Sequence, residues 1–324
     1  MFNVRTTSTI AAIAGVALVL SAMSTGVASA GNDALTRSEV ARIYVDELVP
    51  ALDESIGWTG SVDGCDAGGM RSAAQSATKT AVNAVRELAG LDPVRFAAKY
   101  NSKAQEAALV YMANSDITHT IPKSWECYSS SAREAGEKSN IAFGLGGASA
   151  ITAYMQDYGD HNLLVGHRRW ILYPQTTVMG SGSTEITNAL WVLGDTASKG
   201  DYANPSWVSW PTAGYFPSQL EPDGRWSLSG DSTHDYDFSR AKVAVTNSAG
   251  KRLSVKVRAQ HKEIGYGNDT LVWEVPGVNS ARGTQVREYD VSVTGIRRDG
   301  KTVSRSYSVK LFDPVAWVAD HPSN

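Results

Sequence analysis

The chain has 324 residues, 42% of them hydrophobic and 19% charged, a composition typical of globular proteins and not of disordered ones. Its length is enough for one large domain or two ordinary ones. The formal net charge of −3 gives no electrostatic reason to expect binding to nucleic acid or to an anionic membrane surface.

Residues 1–30 have the pattern of a secretory signal peptide. Arg5 supplies the positive start, residues 10–20 are apolar, and Ala-Ser-Ala at 28–30 is a small-residue cleavage site. The apolar run is too short to span a bilayer comfortably, although an uncleaved N-terminal anchor is the alternative. No later segment is long and apolar enough to cross a membrane. We therefore expect a secreted, extracellular protein without a stable membrane span.

Helical periodicity dominates the first part of the mature chain. Apolar residues recur at helical spacing over residues 38–52, after a candidate N-cap at Thr36. Three further helices are predicted over residues 71–89, 102–112 and 148–158, and strands over residues 140–143, 176–179 and 189–193. Helices interleaved with strands predict an α/β or α+β layered domain.

The chain has two cysteines, Cys65 and Cys127. An even pair in an exported chain predicts a disulfide, and two free buried thiols are the alternative. The bridge would close a loop of about 60 residues and stabilise the fold by at most about 4 kcal/mol on the chain-entropy model.

The pattern changes after about residue 196, where long helical periodicity ends. Short alternating segments separated by turn signals predict an immunoglobulin-like β-sandwich over residues 198–324. The predicted strands cover residues 242–246, 253–257, 271–275, 289–293 and 306–311. The aromatic stretch from about residue 207 to residue 226 either packs against both domains or supplies strands of the second domain.

Three short runs in the middle of the chain mix polar and small residues with apolar ones. They are residues 115–120 (SDITHT), 139–144 (SNIAFG) and 166–174 (GHRRWILYP). Two of them contain a histidine, His119 and His167, and histidine can act as a base, an acid or a metal ligand near neutral pH. We expect the two histidines to face a shared cleft.

These runs belong to a set of motifs that occur in a fixed order between about residues 83 and 195. The set comprises Asn83-x-x-Arg86, Gly90-Leu91, His119-Thr120, Asn140-Ile141-Ala142 and Gly166-His167-Arg168-Arg169. In these motifs the chain resembles the CAP superfamily of cysteine-rich secretory, antigen 5 and pathogenesis-related proteins, and most closely its bacterial SCP-like extracellular branch. The resemblance implies an α+β fold, with a CAP-type α-β-α sandwich over residues 31–197 before the β-sandwich.

The resemblance also implies which residues line the cleft. The implied ligand-cleft residues are His119, Ser139, Asn140, Asp157, His167 and Arg168. The family usually has a glutamate where this chain has Ser139, so one carboxylate is lost. Glu137 could replace it if both residues lay on one face of a strand.

Some members of the family bind a divalent metal at the two matching histidines. A zinc ion needs about three protein ligands. We therefore expect no required cofactor, and at most a weakly bound divalent metal such as zinc at His119 and His167. The alternative is a pair of cleft histidines that are hydrogen-bonded to hydroxyls or carbonyls.

Arg168 and Arg169 follow the second histidine directly. We expect one of them to support the cleft wall by pairing with a carboxylate such as Asp157 or Asp160. The other could offer its guanidinium to an anionic ligand.

The sequence lacks a Gly-x-Ser-x-Gly motif, a His-Glu-x-x-His motif and a phosphate loop. We therefore expect a non-enzymatic protein that binds an apolar or cell-envelope ligand, such as a lipid, or a protein partner at the cell surface. The alternative is a hydrolase that uses the His119/His167 cleft, with or without a metal. Ser139 is the candidate nucleophile for that alternative, and the sequence assigns no catalytic residue.

Overall fold

The computed structural model describes residues 34–259, 267–278 and 280–322. The predicted signal peptide lies outside the described residues. Residues Gly31–Asn324 form one compact unit. Within the described residues, no helix has both the length and the apolar character that a membrane span requires.

Helices supply most of the first half of the described chain. The first begins at Thr36, whose hydroxyl accepts from the amide of Glu39 while the Glu39 carboxylate accepts from the amide of Thr36. A π-helical segment, Ile43–Leu48, continues it. The α-helices are α1 (Arg37–Arg42), α2 (Val49–Asp53), α3 (Ser72–Leu88), α4 (Ala98–Asn114), α5 (Ser130–Lys138), α6 (Gly147–Gln156), α7 (Gly166–Ile171) and α8 (Pro314–Asp320).

The four predicted helices are confirmed with small shifts of their ends, and α5, α7 and α8 are additional. Helix α5 escaped prediction because its sequence, SSAREAGEK, has few apolar residues to mark a buried face. Helix α7 is a short segment inside the Gly166-His167-Arg168-Arg169 motif.

The first sheet lies between two helical layers. Its strands are β1 (Arg95–Phe96), β2 (Ser139–Phe143), β3 (Val178–Ser183) and β4 (Thr187–Trp191), in the order β1-β3-β4-β2, with only β1 and β3 parallel. Ala189 and Trp191 pack with residues of α4 and α5 on one face. Leu190 packs with residues of α3 and α6 on the other. The predicted α-β-α layering is therefore present, and its sheet is mainly antiparallel.

Two further sheets follow. Their strands are β5 (Trp207–Trp210), β6 (Gly214–Pro217), β7 (Arg225–Gly230), β8 (Tyr236–Asp237), β9 (Lys242–Asn247), β10 (Lys256–Ala259), β11 (Thr270–Glu274), β12 (Val286–Arg298) and β13 (Lys301–Phe312). One sheet has the order β10-β11-β7-β5, and the other β6-β13-β12-β8 with β9 also paired to β12. All pairs are antiparallel except β6 with β13.

Aromatic contacts join these two sheets. The ring of Trp226 in β7 meets the ring of Tyr289 in β12 edge to face at 5.9 Å, and Trp210 meets Phe216 at 4.8 Å. The aromatic stretch thus supplies strands β5 and β6 and the start of β7, and its buried aromatic rings belong to one cluster with residues of the N-terminal helices.

The hydrophobic core continues from the helical part into the C-terminal sheets. One cluster of buried residues contains Val40 and Ile151 from the helices together with Trp226 and Val291 from the sheets. The domain boundary after residue 197 stays a prediction, but a large shared core makes independent motion of the two parts unfavourable.

The predicted disulfide is confirmed. Cys65 and Cys127 are bonded, with their Cα atoms 5.1 Å apart and 62 positions apart in sequence. The bond ties the loop after α2 to the segment that precedes α5.

We expect replacement of both cysteines by serine to lower the free energy of unfolding by about 3 kcal/mol, because the unfolded chain regains the freedom of a long closed loop. Urea unfolding of the double variant, compared with the oxidised and the reduced parent, measures the change. Equal midpoints for the double variant and the oxidised parent would show that the bond does not stabilise this fold.

Candidate functional site

Two cavities meet beside strand β2, and His119, Asn162 and His167 line both. The first, of about 480 Å³, is called the polar arm; it is lined by His119, Glu137, Lys138, Ser139, Asn140, His161, Asn162, Leu164, Gly166, His167, Trp170, Val192 and Leu193. The second, of about 530 Å³, is called the apolar arm; it is lined by Ile117, Thr118, His119, Ile141, Ala142, Phe143, Leu145, Ala153, Tyr154, Asp157, Tyr158, Asn162 and His167.

His119 lies on the loop after α4, which is shaped by backbone and side-chain hydrogen bonds. Ser115 ends α4 in the left-handed conformation, and the Tyr111 hydroxyl donates to the carbonyl of Thr118 at 3.0 Å. The Nδ1 atom of His119 lies 2.9 Å from the carbonyl oxygen of Gly136. Because a carbonyl only accepts, Nδ1 must carry the proton, which leaves Nε2 as the ring nitrogen available to a ligand.

His167 is held by a buried carboxylate. Its Nδ1 atom lies 2.7 Å from Oδ1 of Asp157, whose side chain is fully buried. The other oxygen of Asp157 accepts from the amide of Arg168 at 3.2 Å. A carboxylate accepts hydrogen bonds from Nδ1–H, so Nε2 of His167 is again the free ring nitrogen.

Two neighbours contact His167, one at its ring and one at its backbone. The Tyr154 ring stacks on the imidazole with centroids 5.2 Å apart, and the Asn140 side chain donates to the carbonyl of His167 at 3.0 Å. Burial, with a smaller contribution from Tyr111, raises the pKa of Tyr154 well above its usual value. The phenol therefore stays neutral and donates to Oδ1 of Asn188 at 2.9 Å.

Ser139 opens strand β2 and lines the polar arm. Its side chain is buried, and within the described part of the chain its hydroxyl oxygen has no hydrogen-bond partner. Glu137 also lines the polar arm, but the prediction that it shares a strand face with Ser139 is wrong. Glu137 belongs to α5, where its carboxylate pairs with Arg133 one helical turn earlier at 3.1 Å.

Arg168 lies behind the cleft wall and lines neither arm, contrary to the prediction that it is a ligand-cleft residue. Its guanidinium donates to the carbonyl oxygens of Met155 at 2.6 Å, Gln156 at 3.1 Å and Arg225 at 2.9 Å. It also donates to the hydroxyl of Ser227 at 3.1 Å. The supporting role predicted for one arginine is thus filled by Arg168, through carbonyls and not through a carboxylate.

Burial lowers the pKa of Arg168 to about 10, although nearby Asp157 acts in the opposite direction. The guanidinium therefore remains a cation at neutral pH. Arg169 donates to the carbonyl of Asn268 at 2.7 Å.

The apolar arm carries exposed hydrophobic residues that sequence analysis did not identify as site residues. Phe143, Leu145 and Tyr158 are 43%, 42% and 53% exposed. Ile186, which is 40% exposed, lies beside them because its carbonyl accepts from the amide of Gly144 at 2.7 Å. A patch of this kind at a cavity rim is typical of a binding surface. In the sequence, Phe143 and Leu145 on either side of Gly144 were the feature that could have predicted this surface.

His119 and His167 are the residues predicted to hold a divalent metal ion. Zinc sites in proteins have about three or four side-chain ligands. Among the described residues, no group of three or more His, Cys, Asp or Glu side chains is arranged to hold a metal ion. A weakly held divalent ion at His119 and His167 stays a prediction.

Residues 79–193 match the family model CAP, described as the cysteine-rich secretory protein family. The match runs from α3 through β4 and includes the segments that carry His119, Ser139, Asp157 and His167. This match supports a CAP-like domain in that part of the chain, which is about a third of its length. None of the curated proteins compared with the chain matches it.

We expect Asp157→Ala to lower the free energy of unfolding by about 2 kcal/mol, because Nδ1 of His167 and the amide of Arg168 lose a charged acceptor. Asp160→Ala is the matched control, since Asp160 is exposed on a neighbouring turn. Urea unfolding compares the two variants. Equal stabilities would show that these two hydrogen bonds of Asp157 do not stabilise the fold.

Proposed function

We propose that this is an exported CAP-domain protein that binds an amphiphilic cell-envelope ligand, such as a lipid, in the cleft without turning it over. One observation carries the proposal: the polar arm and the apolar arm meet at His119 and His167. A ligand with a hydrocarbon part and a polar head would use both arms at once.

The apolar arm supports binding of the hydrocarbon part. Its exposed side chains, including Phe143 and Leu145, gain about 25 cal/mol for each Å² of apolar surface that a ligand covers. The walls behind them, including Ile141, are already buried and packed. The inner wall of the apolar arm is therefore formed by packed apolar residues, and its opening is lined by exposed ones.

The polar arm supports binding of the head group. Its ionisable and hydrogen-bonding groups include Lys138, Asn140 and His161. Ser139 lines the same arm, and among the described residues its buried hydroxyl has no hydrogen-bond partner. A buried hydroxyl without a partner is costly, so a head group that reached it would gain a hydrogen bond.

Export and the finer assignments are part of the proposal. The signal-peptide pattern of residues 1–30 and the Cys65–Cys127 disulfide support an extracellular location. The ordered motifs support the bacterial SCP-like branch, and the two facing sheets of residues 198–324 support an immunoglobulin-like sandwich that also carries a parallel pair, β6 with β13.

We expect the mature protein to bind oleate saturably. Leu145→Asp should weaken binding by about tenfold, because a bound hydrocarbon chain would remove the new carboxylate from water without a partner. Val315→Asp is the matched control, since Val315 is exposed on α8. Isothermal titration calorimetry with oleate and with a lysophospholipid gives the affinities.

Absence of saturable binding to either amphiphile in the parent would contradict the proposal and favour a protein partner at the same surface. An equal loss of affinity in both variants would show that the ligand does not occupy the apolar arm.

A hydrolase is the second candidate, and a specific arrangement favours it. Asp157 orients His167 so that Nε2 is free to act as a base, and Ser139 lines the same arm with an unpartnered hydroxyl. This combination of acid, base and hydroxyl is the one used by serine hydrolases. However, the structure has no hydrogen bond between the hydroxyl of Ser139 and His167.

A fluorophosphonate probe with peptide mapping separates the two candidates. For a binding protein we expect no modification of Ser139, whether or not His167 is replaced by alanine. Modification of Ser139 that disappears in His167→Ala would establish an activated serine and favour the hydrolase.

A further inference from the structure

The C-terminal end of helix α6 lies behind the cleft, and its backbone carbonyls need hydrogen-bond donors. The helix ends at Gln156, and Asp157 follows in the left-handed conformation with φ of 54°. Arg168 supplies donors for the carbonyls of Met155 and Gln156. Another arginine, Arg225, donates hydrogen bonds to carbonyls of the turn that follows Gln156.

Arg225 belongs to β7, outside the region that matches the CAP family. Its Nη1 atom donates to the carbonyl oxygen of Asp157 at 2.6 Å and to that of Gly159 at 2.9 Å. One guanidinium nitrogen thus bridges two carbonyls of the turn that carries Asp157. The left-handed conformation is uncommon for residues other than glycine, although aspartate adopts it more often than most, and the two hydrogen bonds stabilise the turn.

The guanidinium of Arg225 is itself held in place. Its Nε and Nη2 atoms lie 3.3 Å and 3.1 Å from Oε1 of Glu274, the residue opposite it on β11. The other oxygen of Glu274 accepts from Arg258 at 2.5 Å. The side chains of Arg225 and Glu274 are mostly buried, so solvent screens their ion pair little.

We infer that Arg225 is a positioning residue for the cleft, through which the C-terminal sheet sets the orientation of His167. Arg225 fixes the backbone of Asp157, and the Asp157 carboxylate fixes the proton of His167 on Nδ1. The ring nitrogen Nε2 is thereby kept for the ligand. The C-terminal sheet then supports the binding site from behind and is not a spacer.

The effect on ligand affinity rests on the proposed function, but the effect on His167 does not. The tautomer of a histidine can be read by long-range ¹H–¹⁵N correlation spectra of the free protein at about pH 8, where ordinary histidines are neutral. His119 serves as an internal control, because its Nδ1 atom is held by Gly136 and not by the C-terminal sheet.

The experiment compares Arg225→Ala and Arg225→Lys with Arg258→Ala in the full chain. Arg258 is the matched control, because it pairs with the same carboxylate of Glu274 but, within the described residues, forms no hydrogen bond with the turn at Asp157. In Arg225→Ala we expect His167 to become a mixture of tautomers and oleate affinity to fall about tenfold. His119 and the Arg258→Ala variant should keep the parent signals.

Arg225→Lys tests the inference if Arg225→Ala does not fold. Lysine keeps the charge but cannot hold both carbonyls and Glu274 at once, so we expect a smaller shift of the same kind. A folded Arg225 variant in which His167 keeps the Nδ1–H tautomer would overturn the inference. An equal change in Arg258→Ala would also overturn it, because the effect would then be general to the sheet. If the parent binds no oleate, the proposed function fails, while the His167 signal still decides this inference.

Discussion

The structure depends on how the backbone carbonyls at the end of helix α6 are satisfied. A helix end that is buried without donors is strongly unfavourable. Here two arginines provide the donors, Arg168 from the CAP region and Arg225 from the C-terminal sheet. The turn that they hold carries Asp157, and Asp157 holds His167. The orientation of His167 in the cleft thus depends on how the C-terminal end of α6 is capped.

This arrangement serves position more than stability. Burying a guanidinium and a carboxylate removes both from water, and the attraction between such groups rarely exceeds that cost by much. Arg168 and Asp157 are almost completely buried, yet every hydrogen bond recorded for the Arg168 guanidinium goes to a backbone carbonyl or to a hydroxyl. A hydrophobic pair could fill the same space, but it could not orient an imidazole ring. The polar groups therefore give the cleft a single defined geometry.

The sequence predicted the features that local patterns encode. Apolar periodicity placed the long helices, the even cysteine count predicted the bond between Cys65 and Cys127, and the histidine motifs pointed to a shared cleft. Local sequence patterns gave wrong predictions where contacts between distant parts of the chain determine a residue's position. Glu137 was considered as a substitute carboxylate on the strand face of Ser139, because helix α5 has few apolar residues that would have predicted it.

The role of Arg225 had no sequence signal, because its partner carbonyls are more than sixty positions away in sequence. Every residue has a backbone carbonyl, so the residue types at these positions do not predict which carbonyls accept from Arg225. Arg168 was placed in the cleft through the resemblance of the Gly166-His167-Arg168-Arg169 motif, but successive residues of a helix point in different directions. The apolar arm also combines residues from separate segments, and only the fold brings Phe143 and Tyr158 together.

The most direct test of the binding account is photoaffinity labelling with a fatty acid that carries a diazirine at the end of its hydrocarbon chain. Peptide mapping would then locate the label on the mature protein. The account predicts saturable labelling, suppressed by unlabelled oleate, at Phe143, Leu145 or Tyr158 in the apolar arm. Labelling confined to residues outside both arms, or labelling that does not saturate, would contradict it.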